Sequence, residues 1–341
     1  MLVLALAFAC VGCGKKPQEP DTESSEDLTS SQEEAPAINA LTGLPIDKAL
    51  VNNRPVAVMI NNAKPAQAVQ AGLNSFDILY ETEVEGGITR MMGVTKNIAA
   101  MPQIGTVRSA RYPYLDLALG HDAVYVHAGL DKTYFAAHKA DLGVTTIDIN
   151  GPDAKYGFRD RSNGLASEHT LYTTGEKLDA AVDSKGLTRT TTVNKWLTFA
   201  DEENPVTPAA PCRTLTVPFS ASYISGFTYD EDSGKYIKNS NGTEKTDYVT
   251  KQKLKVKNIF VLFTDIVPYA DGYHMEVKLS SGTGYYVSNG GYQEIKWVKG
   301  AHDAPIVITN ADGTPFTANA GNSYICLVKN EQQAKVKFAA E

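Results

Sequence analysis

The 341-residue sequence has little of several features that would place it in a simple class of protein. Four cysteines are too few for a disulfide-rich scaffold, and Cys212 and Cys326 lie in strand-like runs, where buried thiols are favoured over a disulfide. The 39 acidic residues outnumber 32 lysines and arginines, and this net charge of −7 argues against general nucleic-acid binding. Beyond the first few residues, no apolar run approaches the roughly 20 residues that span a bilayer. The remaining composition, 43% hydrophobic, is that of a globular protein with a buried core.

The N-terminus has the pattern of a lipoprotein signal peptide. Residues 1–9 form the apolar run MLVLALAFA, and small residues flank Cys13, whose thiol would be acylated as the first mature residue. Cys13 is the preferred lipidation site and Cys10 is the second choice. We therefore expect a signal peptide over residues 1–13 and an extracytoplasmic protein, which a lipid chain such as palmitate anchors to the cell membrane.

Changes in composition divide the rest of the chain. Residues 14–40 hold two lysines, seven acidic residues and almost no large apolar side chain, so we expect a disordered acidic tether. Residues 41–203 predict a mixed α/β domain, and the proline-rich residues 204–211 predict a linker. Residues 212–330 predict a β-rich domain, and residues 331–341 a C-terminal tail.

The predicted fold class is α+β. In the first domain, strand-like runs at 55–60 and 123–127 accompany helical patterns at 65–73, 113–119 and 134–142. After residue 212, short runs of β-branched and aromatic residues recur between turn signals such as Ser281-Gly282 and Asn289-Gly290-Gly291. This pattern indicates a mostly antiparallel, all-β second domain.

The segment at 76–93, FDILYETEVEGGITRMMG, predicts a β-hairpin that turns at Gly86-Gly87. A regular register places Glu83 opposite Arg90. Alternation then places three glutamates on one strand face: Glu81, Glu83 and Glu85. Two interpretations remain open. The face is either a solvated surface with a cross-strand ion pair, or the wall of a polar site in which Glu81 or Glu83 is a base or metal ligand.

Arginine is concentrated in one stretch of the chain. Between residues 90 and 161, five of nine lysines and arginines are arginine, against three of 23 elsewhere. Arginine is favoured where a planar set of N–H groups must hold an oxyanion or a buried carboxylate. The candidate ligand-binding residues are therefore Arg90, Arg108, Ser109, Arg111, Arg159 and Arg161. Internal pairing with acidic residues such as Glu81, Glu83, Asp116 and Asp160 is an equal alternative.

Two of the six histidines are candidates for a role in the site. His127 ends a strand-like run, where α/β sheets place their ligands, although a hydrogen-bonded core histidine fits equally well. His169 follows the last arginines and is a candidate general acid. The others show no partner at metal-ligand spacing: His121, His138, His274 and His302. No zinc, P-loop or nucleophile-elbow motif occurs, so the sequence predicts no metal and no cofactor.

Several runs are distinctive in combination. They include LTGLP at 41–45, RPVAVMINN at 54–62, GTVRSAR at 105–111 and DAVYVHAG at 122–129. Over most of residues 40–330 the chain resembles the YerB-type bacterial lipoproteins, a two-domain family of unknown function. The resemblance implies a lipoprotein with the domain division given above, and it implies no reaction.

Three functional hypotheses follow. The leading one is a membrane-anchored lipoprotein that binds an anionic ligand of the cell envelope, for example a phosphorylated one, through Arg90, Arg108 and Arg111. The second is a hydrolase or transferase acting on a phosphorylated cell-wall or lipid-linked sugar, with Glu81 or Glu83 as base and His169 as acid. The third is a structural scaffold whose arginines pair only internally. The sequence indicates no particular protein partner.

Overall fold

The computed structural model describes residues 36–191 and 196–341. The predicted signal peptide, both of its cysteines and the predicted tether up to residue 35 lie outside the described residues. The described chain from Pro36 to Glu341 forms one unit. Among its helices, none combines the length and the apolar character needed to cross a membrane.

The first half of the described chain mixes strands with three α-helices. In chain order, its elements are β1 (Val56–Ile60), β2 (Ile78–Glu85), β3 (Ile88–Thr95), β4 (Ile104–Gly105), α1 (Tyr112–Leu119), β5 (Val124–His127), α2 (Tyr134–Asp141), β6 (Ile147–Asp148), β7 (Phe158–Arg159), β8 (Leu171–Thr173), α3 (Gly175–Ser184) and β9 (Thr198–Ala200). Short 3₁₀ turns connect several of them, including one at Ser167–His169.

The second half consists of strands with one 3₁₀ turn, Asn330–Lys335. Its strands are β10 (Ala210–Pro211), β11 (Thr214–Pro218), β12 (Ile224–Asp230), β13 (Lys235–Ser240), β14 (Thr243–Glu244), β15 (Lys255–Val256), β16 (Asn258–Thr264), β17 (Ile266–Pro268), β18 (Met275–Val277), β19 (Ser281–Ser288), β20 (Gly291–Lys299), β21 (Ile306–Asn310), β22 (Thr317–Asn319), β23 (Ser323–Lys329) and β24 (Lys337–Ala339). The predicted fold class, mixed α/β followed by mostly antiparallel β, is confirmed.

A single large sheet runs through both halves. Its strand order is β10-β20-β19-β16-β23-β2-β3-β1-β5-β6, and β21 pairs with β20. The two halves meet where β2 pairs in parallel with β23, from Ile78 opposite Ser323 to Thr82 opposite Leu327. A second sheet, in the order β14-β13-β12-β11-β24 with β15 on β13, belongs to the second half alone.

The central strands β1, β5, β16 and β23 are buried on both faces of the large sheet and are mostly apolar, whereas β20, nearer the edge, alternates between buried and exposed residues. On one face, residues such as Val58, Val261 and Cys326 pack in one cluster with the second sheet and α3. On the other face, residues such as Met59 and Phe260 pack in a second cluster with α1, α2 and other apolar side chains. The alternate residues of each strand thus point into different cores.

Several predicted boundaries differ from the structure. Residues 331–341 are not a simple tail, because β24 pairs with β11. The predicted tether ends before residue 39, since Asn39 is buried and its side-chain amide donates to Asp77 at 3.0 Å. The predicted helix at 65–73 is replaced by two 3₁₀ turns, and Ser281-Gly282 lies inside β19 rather than in a turn. Asn289 and Gly290 do form the predicted turn, both with positive φ.

Cys212 and Cys326 are free and buried, which confirms the favoured expectation for these two residues. Burial raises the pKa of the Cys212 thiol to about 12, against the effect of a hydrogen bond with Tyr236. Both side chains therefore act as apolar packing groups in the core.

Candidate functional site: an arginine-lined cleft

The candidate site lies at the carboxyl ends of three parallel strands. β1 pairs in parallel with β5, and β5 with β6. The walls come from residues 107–109, which bridge to the end of β1 at Ile60, and from residues 128–130 and Asn150, which follow β5 and β6. Open α/β sheets place their ligands at this end of the strands, because the loops there diverge and leave a crevice.

The cleft has a volume of about 340 Å³. Its polar lining residues are Arg108, Ser109, Asn150, Arg159, Ser167 and Glu168. Three of the predicted ligand-binding residues are therefore brought together: Arg108, Ser109 and Arg159. Two arginines against one carboxylate give this lining an excess of positive charge.

Arg108 presents an accessible cation in the cleft. Its Nη2 donates to Glu168 Oε2 at 2.7 Å, and the side chains of the two residues are 26% and 51% exposed. The hydrogen bond and the charge of Arg108 lower the pKa of the Glu168 carboxyl. Exposed ion pairs of this kind are weak, on the order of 1 kcal/mol or less, so an incoming anion can compete with Glu168 for Arg108.

Arg159 is held by neutral acceptors only. Its Nη1 donates to the backbone oxygen of Ser167 at 2.5 Å, and its Nη2 donates to the Asn150 side-chain oxygen at 2.7 Å. Within the described part of the chain, no carboxylate forms an ion pair with this guanidinium group. Its charge is thus fixed in position and left uncompensated beside the cleft.

Gly129 occupies a position that disfavours a side chain. Its φ of +77° is in the left-handed region, and its N–H donates to Asp148 Oδ1 at 2.7 Å. A Cβ placed there would lie 3.6 Å from Ser109 Oγ and 3.8 Å from Asn150 Nδ2. Glycine is therefore favoured by the positive φ of the turn after β5, and an added Cβ would make only ordinary contacts with these two side chains.

A β-bulge changes the predicted register of the β2–β3 hairpin. Gly86 and Gly87 form the predicted two-residue turn, both with positive φ. The register then shifts between Glu83 and Glu85, so Glu83 lies opposite Thr89 and Arg90 lies opposite Thr82. The extra residue of a bulge re-aims the side chains that follow it. The predicted pairing of Glu83 with Arg90 is therefore wrong.

The bulge lets Glu85 hold two arginines in the interior. Arg111 binds the Glu85 carboxylate through Nε and Nη2 at 2.7 and 2.9 Å, and Arg90 Nη2 binds it at 2.7 Å. Arg90 also donates to the backbone oxygen of Ser109 at 2.6 Å. Burial raises the pKa of Glu85, but the hydrogen bond from Arg111 and the charges of both arginines outweigh it and lower the pKa.

Arg90 and Arg111 do not fit the predicted ligand-binding role, because their guanidinium groups are largely buried and bind Glu85 and backbone oxygens. Neither residue lines the cleft. Their contribution is indirect. Through the bond from Arg90 to Ser109, the buried ion-pair cluster holds the segment that carries Arg108 and Ser109.

Glu81 does not fit the predicted role of a catalytic base. It is buried, and its two oxygens accept four side-chain hydrogen bonds of 2.6–2.9 Å. The donors are Asn62, Thr89, Ser225 and Tyr324. A carboxylate with all its acceptor positions filled has none free to take a proton from a substrate, and Glu81 lies outside the cleft.

Glu83 is also remote from the cleft. It is buried, and its Oε2 lies 2.9 Å from Lys329 Nζ on β23. The pair connects the first half of the sheet to the second. The structure thus gives Glu83 a partner inside the protein rather than a position as base or metal ligand.

The two candidate histidines have internal partners. His127 is buried; its Nδ1 donates to the Gly129 oxygen at 2.8 Å and its Nε2 accepts from Thr146 Oγ1 at 2.9 Å. Burial lowers the pKa of His127, against the effect of Asp148. His127 is therefore a hydrogen-bonded histidine of the core rather than a residue of the cleft.

His169 is one side chain removed from the cleft. Its Nδ1 accepts from Asn61 Nδ2 at 3.0 Å, and its Nε2 lies 3.4 Å from Glu168 Oε1. It is buried behind Glu168 and does not line the cleft. Arg161 is exposed and also lies outside the lining.

Sequence reasoning missed three polar residues of the cleft: Asn150, Ser167 and Glu168. Asn150 binds Arg159 through its side chain, whereas Ser167 does so through its backbone oxygen, and isolated residues in loops carry no pattern that predicts such roles. The one available signal for Asn150 was its position just after a short strand. A second omission is a cluster with metal-ligand spacing, Asp116, His138 and His302, which lies away from the cleft.

Larger hollows elsewhere are less suited to binding an anion. One of about 770 Å³ is lined in part by lysines, but Lys253 and Lys255 are paired with Glu244 and Asp230. Another, of about 640 Å³, is lined in part by Asp201–Glu203, which would repel an anion. Of these three cavities, the arginine-lined cleft is the best suited to bind an anion.

The structure is that of an α+β protein with two segments, and the arginine-lined cleft lies in the first segment. Residues 41–188 match the family described as "Protein of unknown function (DUF3048) N-terminal domain", and residues 215–325 match the corresponding C-terminal domain. The chain belongs to this family. The resemblance to YerB-type proteins noted from the sequence is thereby confirmed.

Two comparisons with individual proteins agree with this assignment. The chain is 27% identical over 341 residues to the "Putative lipoprotein YerB" of Bacillus subtilis (strain 168), covering 98% of this chain and 97% of that protein. The crystal structure of YerB from Bacillus subtilis is similar with a TM-score of 0.76 and 25% identity, over 89% of this chain and 99% of that one.

Proposed function

We propose that the protein is an extracytoplasmic lipoprotein, anchored to the cell membrane, whose arginine-lined cleft binds a phosphate-bearing ligand of the cell envelope. The observation that carries this proposal is that Arg108 and Arg159 line one cleft with a single, solvent-exposed carboxylate. Guanidinium groups match phosphate oxygens in shape and charge, and charge-assisted hydrogen bonds to them are among the stronger ones in proteins.

The cleft offers three kinds of contact to a phosphate. Arg108 supplies a charge whose present partner, Glu168, is exposed, and Arg159 supplies a charge that is held in place by Asn150 and Ser167. Ser109 lines the cleft beside them. An anion that binds Arg108 must displace Glu168, so Glu168 acts as an internal competitor for the site.

Pyrophosphate titration of the full chain by calorimetry tests this arrangement. Arg108→Gln is expected to weaken binding by about tenfold or more, since it removes a charge-assisted hydrogen bond worth roughly 1.5–3 kcal/mol. Glu168→Gln is expected to strengthen binding up to about fivefold, because it removes the competitor in an exposed pair worth up to about 1 kcal/mol.

The matched control is Arg161→Gln. It removes the same charge from an exposed arginine two residues from Arg159, outside the cleft lining. The affinity of the Arg161→Gln protein for pyrophosphate is expected to equal that of the wild type. Equal weakening by Arg108→Gln and Arg161→Gln would show attraction to net charge alone and would contradict a specific site.

The proposed lipid anchor rests on the sequence and on a relative. Residues 1–13 have the lipoprotein signal pattern, and the similar YerB protein carries lipoprotein in its name. When the gene is expressed in bacteria with labelled palmitate, the wild type and Cys10→Ala are expected to be labelled in the membrane fraction. Cys13→Ala is expected to lose both the label and the membrane association; a labelled Cys13→Ala protein would contradict the assignment of Cys13.

No structural observation favours the hydrolase or transferase alternative. The carboxylates suggested as its base, Glu81 and Glu83, are buried with internal partners and lie outside the cleft. Arg90 and Arg111 pair internally with Glu85, as the structural-scaffold hypothesis expects. The pyrophosphate titration of Arg108→Gln distinguishes that hypothesis from ligand binding at the cleft.

A further inference from the structure

Three potential metal ligands meet at one point from three separate elements. Asp116 lies on α1, His138 on α2, and His302 in the loop between β20 and β21. Asp116 Oδ1 lies 2.5 Å from His138 Nε2, and Asp116 Oδ2 lies 2.9 Å from His302 Nδ1. The three ligand atoms all lie within 4.8 Å of one another.

The exposure of the cluster fits a three-ligand site with one open side. The side chains of Asp116 and His138 are both 7% exposed, whereas that of His302 is 50% exposed. A metal held from the buried side would keep a coordination position toward the solvent, which a water molecule can fill. The two imidazole rings, with centroids 4.8 Å apart and planes at 65°, approach the carboxylate from different directions.

The loop that carries His302 is held in place. Lys299 Nζ donates to the backbone oxygens of Ala301 and His302 at 2.9 and 2.8 Å. Asp116 and His302 are 186 residues apart, in the segments that match the N-terminal domain and the C-terminal domain of the family. A metal at this position would therefore cross-link the two segments of the chain.

We infer that Asp116, His138 and His302 bind a divalent transition-metal ion, with zinc as the preferred class. Two imidazoles and one carboxylate form a donor set suited to zinc, cobalt or nickel, whereas calcium and magnesium prefer oxygen donors alone. Without the metal, each imidazole donates its proton to a different oxygen of Asp116. Coordination replaces both hydrogen bonds with metal–nitrogen bonds and shifts each imidazole proton to the other ring nitrogen.

The test uses the full chain, with Cys10 and Cys13 replaced by serine so that N-terminal thiols bind no metal. Affinity tags are removed, the protein is treated with a chelator, and zinc is titrated by calorimetry. We expect uptake of one equivalent. Because His302→Ala and Asp116→Asn remove direct ligands, we expect the affinity to fall by more than the roughly 10–100-fold that loss of an outer-shell partner costs. Cobalt bound to the parent protein is expected to give visible absorption bands of a site with nitrogen ligands, and these bands are lost in His302→Ala.

His274→Ala is the matched control. His274 also contacts a carboxylate, Asp271, at 2.7 Å, but it has no second imidazole ligand beside it in the described structure. Its zinc affinity is expected to equal that of the parent. Since His302 is half-exposed, His302→Ala is expected to stay folded, which thermal unfolding without metal checks. No uptake by the parent, or equal uptake by the parent and His302→Ala, would overturn the inference.

Discussion

Replacing Glu85 with alanine is expected to lower the free energy of unfolding by about 3–5 kcal/mol, one of the two largest effects expected for a single residue. Glu85 is the carboxylate that binds both Arg90 and Arg111, and the side chains of all three residues are 12% exposed or less. Removing it leaves two guanidinium groups buried beside each other without a counter-charge. Urea denaturation at neutral pH measures the loss.

The control for this prediction is Glu168→Ala. Glu168 also binds an arginine at 2.7 Å, but its side chain is 51% exposed, so the expected loss is about 1 kcal/mol or less. Both glutamates bind an arginine at the same distance, so a larger loss of stability in Glu85→Ala than in Glu168→Ala would be due to burial. Losses of similar size in both variants would contradict the interpretation of Glu85 as the centre of a buried ion-pair cluster.

The same cluster predicts how stability depends on pH. The pKa of Glu85 is lower in the folded protein than in an unfolded chain, so the unfolded state binds the proton more readily in acid. The stabilising contribution of Glu85 is therefore complete above the ordinary glutamate pKa and is lost as the pH falls through the lowered value. In Glu85→Gln, unfolding free energy is expected to change less steeply over this acidic range than in the wild type.

Replacing Glu81 with alanine is the second change with a large expected effect, a loss of at least about 3 kcal/mol. Four buried donors would lose their shared acceptor: Asn62, Thr89, Ser225 and Tyr324. The buried Lys238 would also lose a nearby negative charge, which now opposes the lowering of its pKa by burial. Thermal and urea unfolding of the purified variant measure this loss.

Glu83→Ala is the matched control for Glu81, since both glutamates are buried on the same strand. Glu83 has one ion-pair partner, Lys329, whose side chain is 20% exposed and can turn toward water when the carboxylate is removed. Its expected loss is therefore smaller, about 1–2 kcal/mol. A Glu81→Ala protein as stable as Glu83→Ala would show that the four hydrogen bonds contribute little.

The local pattern of the chain predicted several of the individual elements, but not α3, β12 or β13. β-branched runs indicated β1 and β5, and a proline at the first turn indicated α1. The joining of the two halves could not be predicted in the same way. The pairing of β2 with β23 brings together residues such as Glu81 and Tyr324, 243 positions apart, and no local periodicity encodes that choice.

The excess of arginine pointed to the region of the candidate cleft but could not separate two positions within it. Arg90 and Arg111 bind the same buried carboxylate, whereas Arg108 and Arg159 line the cleft. The difference depends on a bulge at the end of β2, which moves Glu85 toward Arg90. The sequence prediction assumed a regular hairpin register without a bulge, and it therefore paired Glu83 with Arg90.

The Asp116–His138–His302 cluster shows a different limit. Its members are separated by 22 and 164 positions, so no motif with short spacing marks them. Only the packing of α1 against α2 and the path of the chain after β20 bring the three side chains together. The sequence prediction of no metal rested on short spacings, which do not detect potential ligands that lie on distant elements.

The most direct test of the proposed function is equilibrium binding of pyrophosphate to the wild type and to the double variant Arg108→Gln/Arg159→Gln at matched ionic strength. We predict saturable one-to-one binding by the wild type and no measurable binding by a folded double variant. Wild-type protein that fails to bind, or a double variant that binds as tightly as the wild type, would contradict a phosphate-binding cleft.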